Sequence, residues 1–162
     1  ETVGSDTRNF RIYAKSQEIP QVSMDTYSGL IRKSSIKLKV ADPRKYLLTA
    51  TTMSGTGTAN NAGTYTTPMK ITVTASGATS TSLTITNSTT SKSIYVTTAL
   101  ANNDTLVIDT GLHSVKLNGV EKRSMLSGST DWWLLNPGNN TIAATNTTNA
   151  TFSFEWRSAW PL

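Results

Sequence analysis

The chain holds one histidine, His113, and no cysteine. An imidazole-based metal centre or nucleophile–base pair needs partner side chains, and the nearest acid in sequence is Asp109, across an expected turn. His113 therefore reads as a hairpin-edge histidine. Two carboxylates facing each other across a cleft would make a glycosidase pair. Beyond residue 48 the acids are Asp104, Asp109, Glu121, Asp131 and Glu155. They fall singly on separate strands or turns, and Asp104 and Asp131 have the character of turn or strand-boundary residues. Walker loop, dinucleotide fingerprint and nucleophile elbow are all missing from the sequence. Without thiols there are no disulfides and no thiolate zinc or iron–sulfur sites. The expectation is a protein that is not an enzyme, with no catalytic, cofactor-binding or metal-ligating residues.

The aromatic residues carry more. Trp132 and Trp133 are adjacent, and on a strand neighbours point to opposite faces, so one belongs in the core and the other outside. For the outward one, three readings stand open: cover by a loop or neighbouring domain, contact with another subunit, or stacking on a sugar. Trp160-Pro161-Leu162 is an apolar tail that must dock somewhere. Trp132, Trp133 and Trp160 are therefore the candidate contacts with a partner or a glycan. Phe152, Phe154 and Trp156, at spacing two, form a core stripe.

The elements that must position these residues follow from alternation and turn chemistry. Residues 8–15 read as a strand, and a stronger one runs from about Leu30 to Ala41 and stops at Asp42-Pro43, where proline removes a ladder donor. Residues 49–67 are Thr, Ser, Gly, Ala and Asn with hardly a large apolar residue. They read as a linker or exposed loop, since such a stretch buries too little surface to offset ordering. Strands are then expected at Met69 to Ala75, Leu83–Ile85, Ile94–Val96, Leu106–Ile108, Val115–Leu117, Trp132 to Leu135, Thr141 to Ala144 and Phe152 to Trp156. Asn118-Gly119 is a hairpin turn signal. Short strands at this spacing, with no helical period, define an all-β antiparallel sandwich or barrel.

The formal charge is +5, and no apolar run is long enough to span a bilayer. Residues 1–48 hold nine Lys or Arg against five acids, and residues 49–162 hold six against five. Lys37 and Lys39 alternate with Ile36, Leu38 and Val40, which is the pattern of a solvated strand face. An acidic subunit interface and a phosphate-binding stripe are the other readings; neither nucleic acid nor membrane is expected as a partner. The chain starts at Glu1, not Met, which suggests a fragment or a start outside this numbering.

Five phrases in order resemble the distal tail and minor tail proteins of long-tailed phages. Ile36 to Tyr46 contains their Asp-Pro-Arg-x-Tyr phrase after a strand. Leu106 to Thr110 matches a Leu-x-Ile-Asp-Thr strand, and Val115 to Gly119 a Val-x-Leu-Asn-Gly hairpin. Leu135 to Ile142 matches a Leu-x-Pro-Gly-x-Asn-x-Ile turn, and Phe152 to Arg157 a final aromatic strand with Arg. The resemblance implies residues 1–48 as the end of a ring-forming β belt domain, 49–67 as the linker, and 68–162 as a galectin-like or jelly-roll sandwich. It implies a virion protein of the tail tip, assembled in the host cytoplasm as a hexameric ring. Its partners would be the tail tube protein, a tail-associated lysin or tip hub protein, and a receptor-binding protein or host glycan. The alternative is a carbohydrate-binding module or adhesin domain.

Overall fold

In the computed structural model, residues 10–16, 21–24, 32–35, 38–40, 42 and 44–162 are described. The first segment contributes β1 (Phe10–Arg11), β2 (Ala14–Ser16), β3 (Gln21–Met24), β4 (Arg32–Ser35), β5 (Leu38–Val40) and β6 (Arg44–Leu47). β3 pairs with β4 and β2 with β5, each antiparallel. The single strand expected from Leu30 to Ala41 is thus two strands with different partners. Its residues Leu30, Ile31, Ile36, Lys37 and Ala41 lie outside the described residues, as do Arg8, Asn9 and Pro43. Lys39 is exposed, as a solvated face requires.

The segment expected as a linker is the main correction. Residues 49–67 hold two strands, β7 (Thr51–Ser54) and β8 (Gly57–Asn61). β7 pairs with β16 and β8 with β15, at the ends of the two main sheets. An edge strand needs little apolar surface of its own. Here Ala59 is fully buried and Met53 packs on the core, while the outward positions stay Thr, Ser and Asn. Small inward residues suffice where the opposite sheet supplies the bulk.

The remaining strands are β9 (Met69–Ala75), β10 (Leu83–Asn87), β11 (Lys92–Val96), β12 (Thr105–Asp109), β13 (Ser114–Leu117), β14 (Val120–Glu121), β15 (Gly138–Thr145), β16 (Ala150–Trp156) and β17 (Ala159–Pro161). A six-stranded antiparallel sheet, β14-β13-β12-β9-β16-β7, faces a four-stranded one, β11-β10-β15-β8. Along β9 every second residue is buried, so Met69, Ile71, Val73 and Ala75 form one inner face. Ile108, Leu106 and Phe154 join them, against Leu83, Ile85, Ile94 and Ile142 of the smaller sheet. Each such side chain removed from water contributes about 1.5–3 kcal/mol. Threonine fills the outer positions, where a β-branched residue suits the pleat. The fold is an all-β antiparallel sandwich.

Turn chemistry sets the register. Asn118 and Gly119 both take positive φ, 50° and 84°, in the two-residue connection between Leu117 and Val120. Gly138 has φ 84°, as the Pro137-Gly138 turn demands. One expected strand is missing: Trp132 to Leu135 forms no ladder, and Leu135 makes an isolated bridge to Thr67.

Candidate interaction site

The segment carrying the two tryptophans is tied at both ends. At one end Asp131 N–H donates to Ser93 O at 2.9 Å; at the other, Thr67 and Leu135 exchange backbone bonds of 3.0 and 2.8 Å. Between these ties Trp133 turns into the core, 2% exposed, and Trp132 stays half-buried. Trp133 is the inward one of the pair, while Trp132 is not outside but packs partly buried against the core, and no ladder sets their directions.

Trp132 is covered from neighbouring turns. His113 stacks on it with ring centroids 4.8 Å apart and planes at 14°, and the Arg123 guanidinium stands 5.8 Å from the ring centroid. His113 reaches this position from the last residue of the β12–β13 connection, in left-handed backbone at φ 53°. Asp109 holds the start of that turn, its Oδ1 accepting from Gly111 and Leu112 N–H, each at 2.9 Å. Aromatic stacking of this kind adds about 0.5–1.5 kcal/mol beyond area. The sequence placed His113 on the hairpin edge, but nothing in it announced a partner nineteen positions away. Beside the pair opens a groove of about 420 Å³, bordered by Trp132, Trp133, His113, Lys92 and Arg44.

Arg44 also borders a second groove, of about 470 Å³, through the Asp-Pro-Arg-x-Tyr phrase. Asp42 accepts from Arg44 Nε at 2.7 Å and Nη2 at 3.1 Å, and from the Tyr46 hydroxyl at 2.7 Å. Burial works to raise the Asp42 carboxyl, but the bonds from Arg44 and Tyr46 and the Arg44 charge outweigh it, leaving the group below the usual carboxylate range. Tyr46 is pushed well above the usual phenol range by burial first and by its bond to Asp42 second. The phrase folds on itself: the arginine neutralises the carboxylate and the tyrosine caps it.

The first segment and the sandwich meet at β6. It pairs with β1 on one side and with β17 on the other, Ala159 opposite Tyr46 and Trp160 opposite Lys45. The apolar tail docks here, with Trp160 half-buried. Arg157 Nη1 donates to the carbonyls of Leu47 and Leu48. Buried Asn61 accepts from Gly63 N–H and donates to Tyr65 O, shaping the loop that Ala159 packs against. The arginine of the final aromatic strand is therefore a clamp, a role the sequence did not reveal. Trp160 lies at this junction, apart from the Trp132–Trp133 groove.

The acids are spent locally. Asp104 accepts from Asn118 Nδ2 and Ala101 N–H, Glu121 from Val115 N–H, and Glu155 stands 4.0 Å from Lys70. Among the described residues, no group of three or more His, Asp or Glu is placed to hold a metal ion.

These features define a β-sandwich module stitched to a preceding β segment. Residues 62–160 match the model of the siphovirus-type tail component, C-terminal domain. The chain belongs to that family, the phage distal tail proteins. The crystal structure of the SPP1 Dit protein, described as a paradigm of the hub adsorption apparatus in phages infecting Gram-positive bacteria, superposes with a TM-score of 0.70 at 19% identity. The match covers 96% of this chain and 62% of that one, so this chain spans less than two thirds of its relative. At that identity the likeness speaks for the fold. No curated protein matches.

Proposed function

We propose that this protein is a structural component of the distal end of a phage tail, acting by assembly rather than turnover. The observation that carries the reading is the family match over residues 62–160, which contains most of the sandwich. The fold likeness to SPP1 Dit extends it into the first segment, since 96% of the chain is covered. In this reading the first segment belongs to a ring-forming belt and the sandwich projects from it as a galectin-like domain. Six copies close a ring between the tail tube and the tip, next to a hub protein or tail-associated lysin. The clamp of Arg157 on Leu47 and Leu48 suits such a role, because it fixes a projecting domain to its base.

The test is gold labelling of virions of the encoding phage with antibody against this chain, with light scattering on the chain in parallel. Label confined to the tail's distal end, and a sixfold mass for a form able to close the ring, support the proposal. Label along the tube, at the head or nowhere on the virion overturns it.

A further inference from the structure

We infer that the outer edge of β7 is a self-association surface, on which the β7 of a second copy of this chain adds as an antiparallel strand. The first ground is a comparison of the edges of the two main sheets. β11 is shielded by residues 127–131: Ser127 and Asp131 N–H donate to the carbonyls of Tyr95 and Ser93, and Tyr95 N–H reaches the Thr130 hydroxyl. β8 is closed from the other sheet, where Trp156 Nε1–H donates to Asn60 O and Ser158 Oγ accepts from Ala62 N–H. β14 is two residues long, carries Glu121 and runs straight into Lys122 and Arg123. β7 has no such protection.

The second ground is register. Gly55 N–H donates to Phe152 O at 2.9 Å, so the bonded positions of the β7–β16 ladder continue at Met53 and Thr51. Alternation in an antiparallel pair then turns the N–H and C=O groups of Thr52 and Ser54 away from β16. Those groups meet no partner among the described residues, and both residues are exposed. An open row of this kind is a template for another strand, which soluble proteins usually blunt with charge, proline or a bulge. Residues 49–67 hold no charged residue and no proline.

The third ground selects the occupant. The free groups lie symmetrically about Met53. A two-fold axis there sets Thr52 against Ser54 of the partner subunit, and Ser54 against the partner's Thr52, each pair exchanging both of its backbone bonds. The Met53 side chains then meet in the non-bonded pair, where side chains lie closest. Met53 is only partly buried on its own core, and a flexible thioether adapts to such a contact. Beside the edge, Glu155 lies opposite Thr52 and stands 4.0 Å from Lys70, so the two charges offset one another. A foreign strand would need none of this symmetry.

Strands of this length bury little area, so the pairing is weak and depends on concentration. A two-fold contact joins copies in pairs and leaves any rotationally closed ring to other surfaces. This inference goes beyond the tail reading and does not rest on it.

The test is NMR on the isotopically labelled full chain, from about 10 μM to about 1 mM. The expected result is a saturable, concentration-dependent shift of the backbone signals of residues 51–54, with slower amide exchange at Thr52 and Ser54 and steady signals along β9. The double variant Thr52→Lys, Ser54→Lys changes exposed positions only. It sets lysine against lysine in both pairs and should weaken association about tenfold or more. Thr52→Glu with Ser54→Glu should do the same, and an equal mixture of the two variants should pair again. Signals at 51–54 that ignore concentration, association that both charged variants retain, or a mixture that pairs no better than either alone would overturn the proposal. Protection of β7 that appears only when a second tail protein is added would also overturn it, in favour of a foreign strand.

Discussion

Asn140 shows how much one side chain can organise. It is fully buried, accepts from Asn136 N–H at 2.9 Å and donates to the carbonyls of Asn136 and Gly138 at 2.8 and 3.1 Å. It thereby closes the turn that launches β15. Asn140→Ala strands these backbone groups, and we expect a loss of about 2–3 kcal/mol in urea unfolding. Exposed Asn139→Ala should stay within about 0.5 kcal/mol. Asp42 makes a second prediction. Its folded pKa lies below the ordinary aspartate range, so the unfolded chain binds more protons in acid. The stability it contributes is present above the unfolded value and fades as pH falls through the folded one. The stability gap between the native chain and Asp42→Asn should therefore be open at pH 7 and close on strong acidification, as chemical denaturation at stepped pH would show; a gap independent of pH would refute the linkage. The Pro-Gly-x-Asn phrase was legible in the sequence, but its asparagine's burial was not. A letter in a turn does not disclose that Asn87, also buried, will sit across from it.

At the scale of elements, period and turn signals found the central strands and failed at the edges. β9, β10, β12 and β16 alternate cleanly because one face is buried along their whole length. β7 and β8 carry almost no apolar signal, since the opposing sheet does the filling. Trp132 to Leu135 carries a strong apolar signal and no ladder, because its partners are two isolated ties rather than a strand. β17 depends on a close approach: a Cβ at Gly63 would overlap the Ala159 backbone. Gly63→Ala should loosen β17 from β6 and from the loop before it, seen as faster amide exchange at Leu47 and Tyr65, whose N–H groups donate to the carbonyls of Ser158 and Ala159, with β9 still protected. Unchanged exchange at both would show that the loop can yield.

For the whole molecule, fold class and family were readable from residues spread along the chain, because alternation and turn phrases are local. The Trp132 groove was only half-readable. Its two tryptophans were visible, but His113, Lys92 and Arg44 come from other turns and from the first segment, and only the assembled sandwich brings them together. The excess of cations in the first segment found one local answer in the Arg44–Asp42 pair. The virion location is where the whole-molecule prediction is tested, by labelling at the tail's distal end.

The closure of β17 on β6 also sets an order of events during synthesis. Arg157 and Leu47 are 110 positions apart. A growing chain can pair β6 with β1 early, but the second flank and the arginine clamp wait until residues 157–161 leave the ribosome. Domains form as units while the chain emerges, so the base segment is locked only when the sandwich it carries is essentially finished. A chain stalled midway would offer an unlatched base.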